Sequence, residues 1–330
     1  MVCAKSALRL SYLTAAQFEA HQIQFKSRVL GAVAFGAQRP CVSAPDCPYA
    51  WIDIPIVKGD AAFEVWTSAQ TVVRDDTDEF VSARDDDILF GCVLTEPGDS
   101  LDAASRLVYC RIFDFIDARG YGHLLRVWNY FPQINAVTDG VEQYVKFNAG
   151  RHEAFAAKRR VLGSDTPAAC ALGSRSGPLV VYFLAAKRAG RLVENPRQTS
   201  AYDYPAQYGP RSPVFSRAVL MQAADKPLLF ISGTASIVGH ETLHVGNAPE
   251  QARETVANIL AVIAQARRAG IDPDARNASM LLKIYVRHAD YVPMIESELT
   301  RTFGDNAGML YLQADICRSD LLLEVEAVVA

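Results

Sequence analysis

Along the first ninety positions, apolar residues fall in short runs rich in aromatic and branched side chains. Residues 8–13, 27–35, 51–57, 63–66 and 87–95 are such runs, and Pro and Gly punctuate them, so they predict strands. The period then changes. From Ser100, the residues Leu101, Ala104, Leu107, Val108, Ile112, Phe115 and Ile116 recur at helical spacing. Asp99 and Asp102 stand near the start, where carboxylates suit the helix dipole, and Gly120 stops the helix. A strand over 124–130 and a helix over 140–160 follow. The second half repeats the order. Strands are predicted over 179–185, 215–222 and 228–237. A helix runs over 249–269, with Pro249 at its first turn, an apolar face of Ala252, Val256, Ile259, Leu260 and Ile263, and Gly270 as its stop. A strand over 281–287, a helix over 291–303 and strands over 309–316 and 321–328 complete the pattern.

Laid side by side, the halves match in element order. ILFG at 88–91 and LRVWNYFP at 125–132 in the first answer to FISG at 230–233 and LKIYVR at 282–287 in the second. This is a duplicated β-β-α-β-α-β unit, weak in residue identity but consistent in order. Each copy predicts a mixed sheet with helices on one face, an α+β architecture. The boundary is expected at 163–169, giving an N-terminal domain over 1–165 and a C-terminal domain over 166–330 that carries the active site. A Pro- and Tyr-rich stretch over 194–212 reads as a long loop of the kind that often bears function.

Composition narrows the class. The 330 residues are 50% hydrophobic and 21% charged, which excludes a disordered chain, and the length suits two domains. A net charge of −4 argues against nucleic-acid or anionic-membrane partners. No run of 18 apolar residues predicts a membrane span, and the first residues lead into no signal-peptide core. Seven cysteines (Cys3, Cys41, Cys47, Cys92, Cys110, Cys170 and Cys317) form no C-x-x-C pair. They read as reduced thiols of a cytoplasmic protein.

The familiar catalytic motifs are missing. Gly173–Gly177 is Gly-rich but opens no helix, so a loop is expected rather than a phosphate cradle. His240 and His244 stand four apart without further ligands and read as loop histidines, and Asp85–Asp87 as a solvated turn. A distributed set remains. The loop YDYPAQYGPRS at 202–212 carries Tyr202, Tyr204, Tyr208 and Arg211 between prolines. It is either a surface loop tacked down by aromatics or a pre-organised wall offering hydroxyls and a guanidinium to an anionic, ring-shaped ligand. Arg287 ends an apolar strand, where it is solvated or clamps a carboxylate. Glu324 and Glu326 share one strand face. That face is exposed and polar, or it lines a cleft that raises a glutamate pKa to the range of a general acid. Cys317 is core or nucleophile.

Taken together, RVWNYFPQIN at 126–135, FNAGR at 147–151, the 202–212 loop, FISGTASIVGH at 230–240 and the ending CRSDLLLEVEAVVA at 317–330 resemble the chorismatase (chorismate hydrolase) family. The ending also resembles the small trimeric YjgF/RidA enamine deaminases. The resemblance implies two YjgF/RidA-like (chorismate mutase-like) units in one chain. It implies a reaction on chorismate with no cofactor and no metal. Glu324 matches the family's catalytic glutamate, which protonates the enol-pyruvyl methylene. Arg151, Arg211, Arg217 and Arg287 are the candidates for holding the two substrate carboxylates, with Tyr204 and Tyr208 beside them. Cys317 stands seven residues before the glutamate, where the hydrolytic class carries alanine, so the chain looks aromatising and should yield 3-hydroxybenzoate, with or without 4-hydroxybenzoate, plus pyruvate. A second position that separates the classes falls in the turn 232–235, where Gly233 would leave space beside the ring. The alternatives are a hydrolytic chorismatase, a non-catalytic YjgF-like binding protein, and an imine or enamine deaminase. The chain is a pseudo-trimeric monomer or a homo-oligomer.

Overall fold

The computed structural model describes residues 8–42, 45–98, 100–222, 227–268, 280–305 and 307–330. Cys3 and the other N-terminal residues, Asp99 and the helix stop at Gly270 lie outside the described residues. The strands that build the fold are β1 (Leu8–Leu13), β2 (Val29–Phe35), β3 (Tyr49–Ile52), β4 (Phe63–Ser68), β5 (Val81–Arg84), β6 (Ile88–Thr95) and β7 (His123–Pro132). They continue with β8 (Ala168–Ser174), β9 (Leu179–Ala186), β10 (Ala218–Met221), β11 (Leu228–Thr234), β12 (Met280–Val286), β13 (Gly308–Gln313) and β14 (Leu323–Val329). The helices are α1 (Ala15–Gln24), α2 (Leu101–Ala118), α3 (Gln143–Ala157), α4 (Ala248–Arg268) and α5 (Val292–Phe303).

The α+β duplication is present. One sheet runs β8-β7-β9-β6-β5, the other β13-β12-β14-β11-β10, and a short edge strand closes each end of both. In each, two parallel strands (β7 with β8, β12 with β13) sit beside antiparallel ones. α2 and α3 cover the outer face of the first sheet, α4 and α5 that of the second. Strand pairing crosses the expected line at 165/166, because β8 and β9 belong to the first sheet. β8 was missed in the sequence because AACALGS lacks the branched and aromatic residues that mark a strand. Gly173 and Ser174, expected in a loop, are its last two residues.

A third, reduced copy precedes these two. Its sheet order β3-β2-β4-β1, with β2 parallel to β3, repeats β8-β7-β9-β6, and α1 stands where α2 and α4 stand. α1 is polar, with Phe18 as its buried anchor, stacked on Phe63 at 4.4 Å. A capping box starts it: Thr14 Oγ1 accepts from the Gln17 amide and Gln17 Oε1 accepts from the Thr14 amide.

The inner faces of the three sheets meet in one core around a pseudo-threefold axis, where Trp66, Trp128, Tyr182, Phe230 and Tyr285 pack together. Strand registers make the correspondence explicit. Val33 faces Glu64, Trp128 faces Tyr182, and Lys283 faces Glu326. Of the two readings of the Glu324 and Glu326 face of β14, exposed or cleft-lining, exposure is excluded: the face is at the centre of the molecule, since Leu323, Val325 and Ala327 turn to α4 and α5. Two residues of the expected apolar helix faces, Leu107 and Leu260, are exposed instead.

Short edge strands tie the copies together. Asp315–Ile316 from the last copy pairs with β8 of the middle one, and Ile56–Lys58 of the first pairs with β13. The former carries the chain straight to Cys317 at the seam between the middle and last copies.

Candidate active site

A cavity of about 550 Å³ opens at that seam. One wall is the middle copy: Tyr144 and Arg151 on α3, and Ala169, Cys170 and Ala171 on β8. The other is the last copy: Gly233 on β11, Glu324 on β14, Arg217, and Cys317 with Arg318. The loop with Tyr204 and Tyr208 closes the side. The small residues of β8 leave the room. The seam below is closed by Ser232, whose hydroxyl accepts from the Ala169 amide at 2.8 Å and donates to the Ser216 carbonyl at 2.5 Å.

Glu324 reaches the cavity because of a bulge. The register between β11 and β14 shifts from Ile231 opposite Ala327 to Thr234 opposite Val325, which inserts one extra residue beside Gly233. A Cβ on Gly233 would sit 1.8 Å from Glu324 Oε1. The space expected beside a ligand ring is thus occupied by the glutamate itself. Glu324 is 3% exposed. Burial, then the nearby charge of Glu326, pushes its carboxyl up to about 8, with Arg126 pulling the other way. The Cys317 thiol lies 3.8 Å from Glu324 Oε2, placed to donate to it. Burial, and then Glu324, push that thiol far above its ordinary range, so it is neither thiolate nor nucleophile at neutral pH. Tyr144 is likewise held neutral by burial and by Cys317.

Two buried guanidiniums face this acid. Arg217 donates through Nη2 to the Thr199 carbonyl at 2.6 Å and to Tyr204 Oη at 3.0 Å, and its Nε has no partner. Arg151 donates through Nη2 to Asn148 Oδ1 at 2.9 Å, lies 5.0 Å over the Phe147 ring, and also has a partnerless Nε. Buried donors without acceptors in a cavity are suited to an anion. Arg318 is a third cation that the sequence reading missed. It stacks 4.1 Å over Tyr208 and donates to the His240 carbonyl at 2.9 Å, fixing the tyrosine loop to the chain beside Cys317. Tyr208 Oη also donates to the His240 carbonyl, at 2.7 Å.

Of the residues expected at the site, Glu324, Cys317, Arg151, Arg217, Tyr204, Tyr208 and Gly233 line the cavity. Arg211 does not; it is exposed at the tip of the loop. Arg287 does not either. It donates to the carbonyls of Leu321 (2.9 Å), Ile316 (3.3 Å) and Arg318 (2.9 Å), and pairs with Asp315 at 2.6 Å. It is a scaffold for the 315–321 turn that presents Cys317 and Arg318. Arg287→Ala should therefore lower thermal stability by about 2–4 kcal/mol, the scale of several charge-assisted hydrogen bonds lost together. Calorimetry reads that loss, and kcat should fall more than KM rises. A KM change alone would return Arg287 to the role of anion clamp.

Glu326 stays out of the cavity. It accepts from Trp128 Nε1 at 2.9 Å, pairs with Lys283 at 2.7 Å, and bonds Arg126. Lys283 in turn pairs with Glu64. Burial disfavours these charges, but for Glu326 the attraction of Lys283 and Arg126 outweighs it and holds the carboxyl below its ordinary range.

The model of the family described as chorismatase FkbO/Hyg5-like, N-terminal, matches residues 64–185. A 3-hydroxybenzoate synthase of Streptomyces hygroscopicus is 37% identical over 275 residues, 81% of each chain. A chorismatase of Streptomyces rapamycinicus is 37% identical over 295 residues, 87% of this chain and 88% of the relative. A crystal structure of a chorismatase superposes with a TM-score of 0.88 at 31% identity, covering 99% of both chains.

Proposed function

From the premise that the chain belongs to the chorismatase family, we propose that it converts chorismate to 3-hydroxybenzoate and pyruvate, with Glu324 as the general acid. The observation that carries the reading is a buried carboxyl, with its pKa raised to about 8, that shares a cavity with two guanidiniums short of acceptors. Chorismate is a dicarboxylate with an enol-pyruvyl ether. Arg217 with Tyr204 and Arg151 with Tyr144 offer two anion sites on opposite walls. Binding there sets the ether against Glu324.

The carboxylic acid gives its proton to the terminal methylene of the vinyl ether, and the ether becomes an oxocarbenium ion. The carboxylate left behind stabilises that cation in a dry site, where the interaction is strong. The oxygen of the neighbouring ring hydroxyl then bonds to the ring carbon that carries the ether. The carbon–oxygen bond to the side chain breaks and pyruvate leaves. The hydroxyl proton passes to the Glu324 carboxylate, which restores the acid, while the proton first transferred stays on the pyruvate methyl. Opening of the arene-oxide-like ring intermediate with movement of a ring hydrogen gives the phenol. No water is consumed, so water must be kept from the oxocarbenium ion. Cys317, an un-ionised thiol against Glu324 Oε2, fills the approach that water would take and holds that oxygen in place.

Purified protein incubated with chorismate should release pyruvate and 3-hydroxybenzoate in equal amounts. A dihydroxy-cyclohexadiene acid as the main product would establish the hydrolytic reading, and binding without turnover the sensor reading. Cys317→Ala should admit water and move product from 3-hydroxybenzoate toward the dihydroxy-cyclohexadiene acid, with kcat within about tenfold of wild type. Chromatography of the products measures the ratio, and an unchanged ratio refutes this role. Both walls of the cavity come from one chain, so the site needs no partner subunit to be complete. Unpaired thiols at Cys41, Cys47, Cys92, Cys110, Cys170 and Cys317 fit a cytoplasmic enzyme. Among the described residues no helix is long and apolar enough to cross a membrane.

A further inference from the structure

Directly behind Glu324, away from the cavity, lies a buried charge set that the reaction as described does not use. It consists of Glu64 on β4, Arg126 on β7, Lys283 on β12 and Glu326 on β14, drawn from all three copies of the fold. Two carboxylates and two cations balance. All four side chains are at most 7% exposed. Trp66 Nε1 donates to Glu64 at 2.8 Å and Trp128 Nε1 to Glu326 at 2.9 Å, so the carboxylates are also hydrogen-bonded. Such a set brings little stability over an apolar core of the same volume, because desolvation cancels most of the attraction. Its location suggests what it does instead.

We propose that Glu326 and Arg126 are positioning residues for the reaction: the fixed carboxylate of Glu326 behind Glu324 keeps Glu324 in its acid form until substrate binds, and Arg126 is the counterweight that keeps the proton transferable. The inference rests on Glu324 being the proton donor. Glu326 is two residues from Glu324 on the same strand face, about 7 Å away along the backbone. It cannot relieve the repulsion by taking the proton itself, because Lys283 and Arg126 hold it ionised. The proton therefore stays on Glu324.

The other titratable groups around Glu324 do not compete. Cys317 from the 315–321 turn, Cys170 from β8 and Tyr144 from α3 are kept neutral by burial. So are Tyr130 from β7 and Tyr285 from β12, the latter directly opposite Glu324 in the ladder. The remaining charges on the cavity side are Arg151, Arg217, Arg318 and Glu142, a net charge of two that the two substrate carboxylates neutralise on binding. The fixed charges that bear on Glu324 itself belong to the buried set, and the two oppose each other: Glu326 favours the acid form and Arg126 the ionised form.

The test is the pH dependence of kcat/KM, read as pyruvate release at chorismate well below KM, which reports ionisation of the free enzyme. Wild type should lose activity tenfold per pH unit above a limb near pH 8, where Glu324 ionises. Glu326→Gln removes the negative charge and uncovers Arg126, so its limb should move down by about one pH unit or more. Arg126→Gln leaves Glu326 paired with Lys283 and should move the limb up by a similar amount. Arg126→Lys should restore the wild-type limb. Opposite displacements cannot come from a general loosening of the fold, which circular dichroism at each pH monitors. If Glu326→Gln does not fold, the upward displacement in Arg126→Gln and its reversal in Arg126→Lys carry the test. Limbs that coincide with wild type in the folded variants overturn the inference. Glu324→Gln separates that failure from failure of the underlying reading: if it keeps wild-type activity, Glu324 is not the acid and the limb belongs to another group.

Discussion

Glu324→Gln should lower kcat by about 10²–10⁴ while KM for chorismate changes by no more than about threefold, the scale of a lost general acid. The argument is geometric first. The amide has the volume of the acid and meets the same Gly233 gap and the same Cys317 thiol, so the cavity keeps its shape. What is lost is the transferable proton. Protonation of the methylene turns a neutral ether into a cation, and an amide neither drives that step nor leaves an anion to stabilise the product. An ordinary glutamate, with a pKa of about 4.3, would be ionised at neutral pH and of little use as a donor. Burial removes that handicap here, bringing the pKa to about 8. The variant should also lack the activity limb near that pH. Steady-state pyruvate release against chorismate concentration checks both statements. Turnover within a few-fold of wild type would place the donor elsewhere; Glu326, paired with Lys283 and Arg126, could not supply the proton without breaking its pairs.

Arg217→Ala should raise KM by roughly 10- to 150-fold, which corresponds to about 1.5–3 kcal/mol for a charge-assisted hydrogen bond to a carboxylate. The side chain is buried and lines the cavity, donates through Nη2 to the Thr199 carbonyl and Tyr204 Oη, and has an unpartnered Nε. Truncation leaves a substrate carboxylate desolvated and unpaired, and Tyr204 without its donor. Arg217→Lys should recover only part of the loss, since an ammonium cannot present two parallel donors. Isothermal titration of chorismate into the inactive Glu324→Gln background isolates binding from turnover. Equal affinities in the Arg217→Ala and Arg151→Ala variants and their parent would remove both residues from carboxylate recognition.

The elements legible in the sequence were those whose apolar period was strong. α2 and α4 bury a continuous stripe and were read within a few residues of their bounds. β8 was not legible, since a strand of alanines, cysteine and glycine follows no strand preference; its smallness is what makes the cavity. α1 was hidden by its polarity, although Thr14 and Gln17 spelled its capping box. Within the site, Glu324 and Cys317 could be placed because the ending that carries them resembles the chorismatase family; residue pattern alone left both roles open. The two arginines that were misplaced show the limit. Arg211 and Arg217 sit in the same loop region, and only the fold decides that one turns inward and the other to water. Arg287 was correctly seen at a strand end, but its acceptors are carbonyls of a turn thirty residues on, which no local pattern reveals.

The pseudo-threefold axis gives three equivalent stations to three divergent copies. At one ring stand Val33, Trp128 and Lys283; facing them are Glu64, Tyr182 and Glu326. Where β14 carries Glu324 opposite Tyr285, β9 carries Val180 opposite Tyr130, and Ala62 lies beside Phe35. In an assembly of identical subunits, any charge on such an axis meets two copies of itself, and any acid is installed three times or not at all. Fusion into one chain removes that constraint. Each station can drift alone, so a lysine can come to stand between two glutamates at the very centre, and a position that symmetry would make self-repelling becomes self-neutralising. The same freedom leaves a glutamate at one of the three stations, and a tight-binding inhibitor should titrate the protein at one equivalent rather than three.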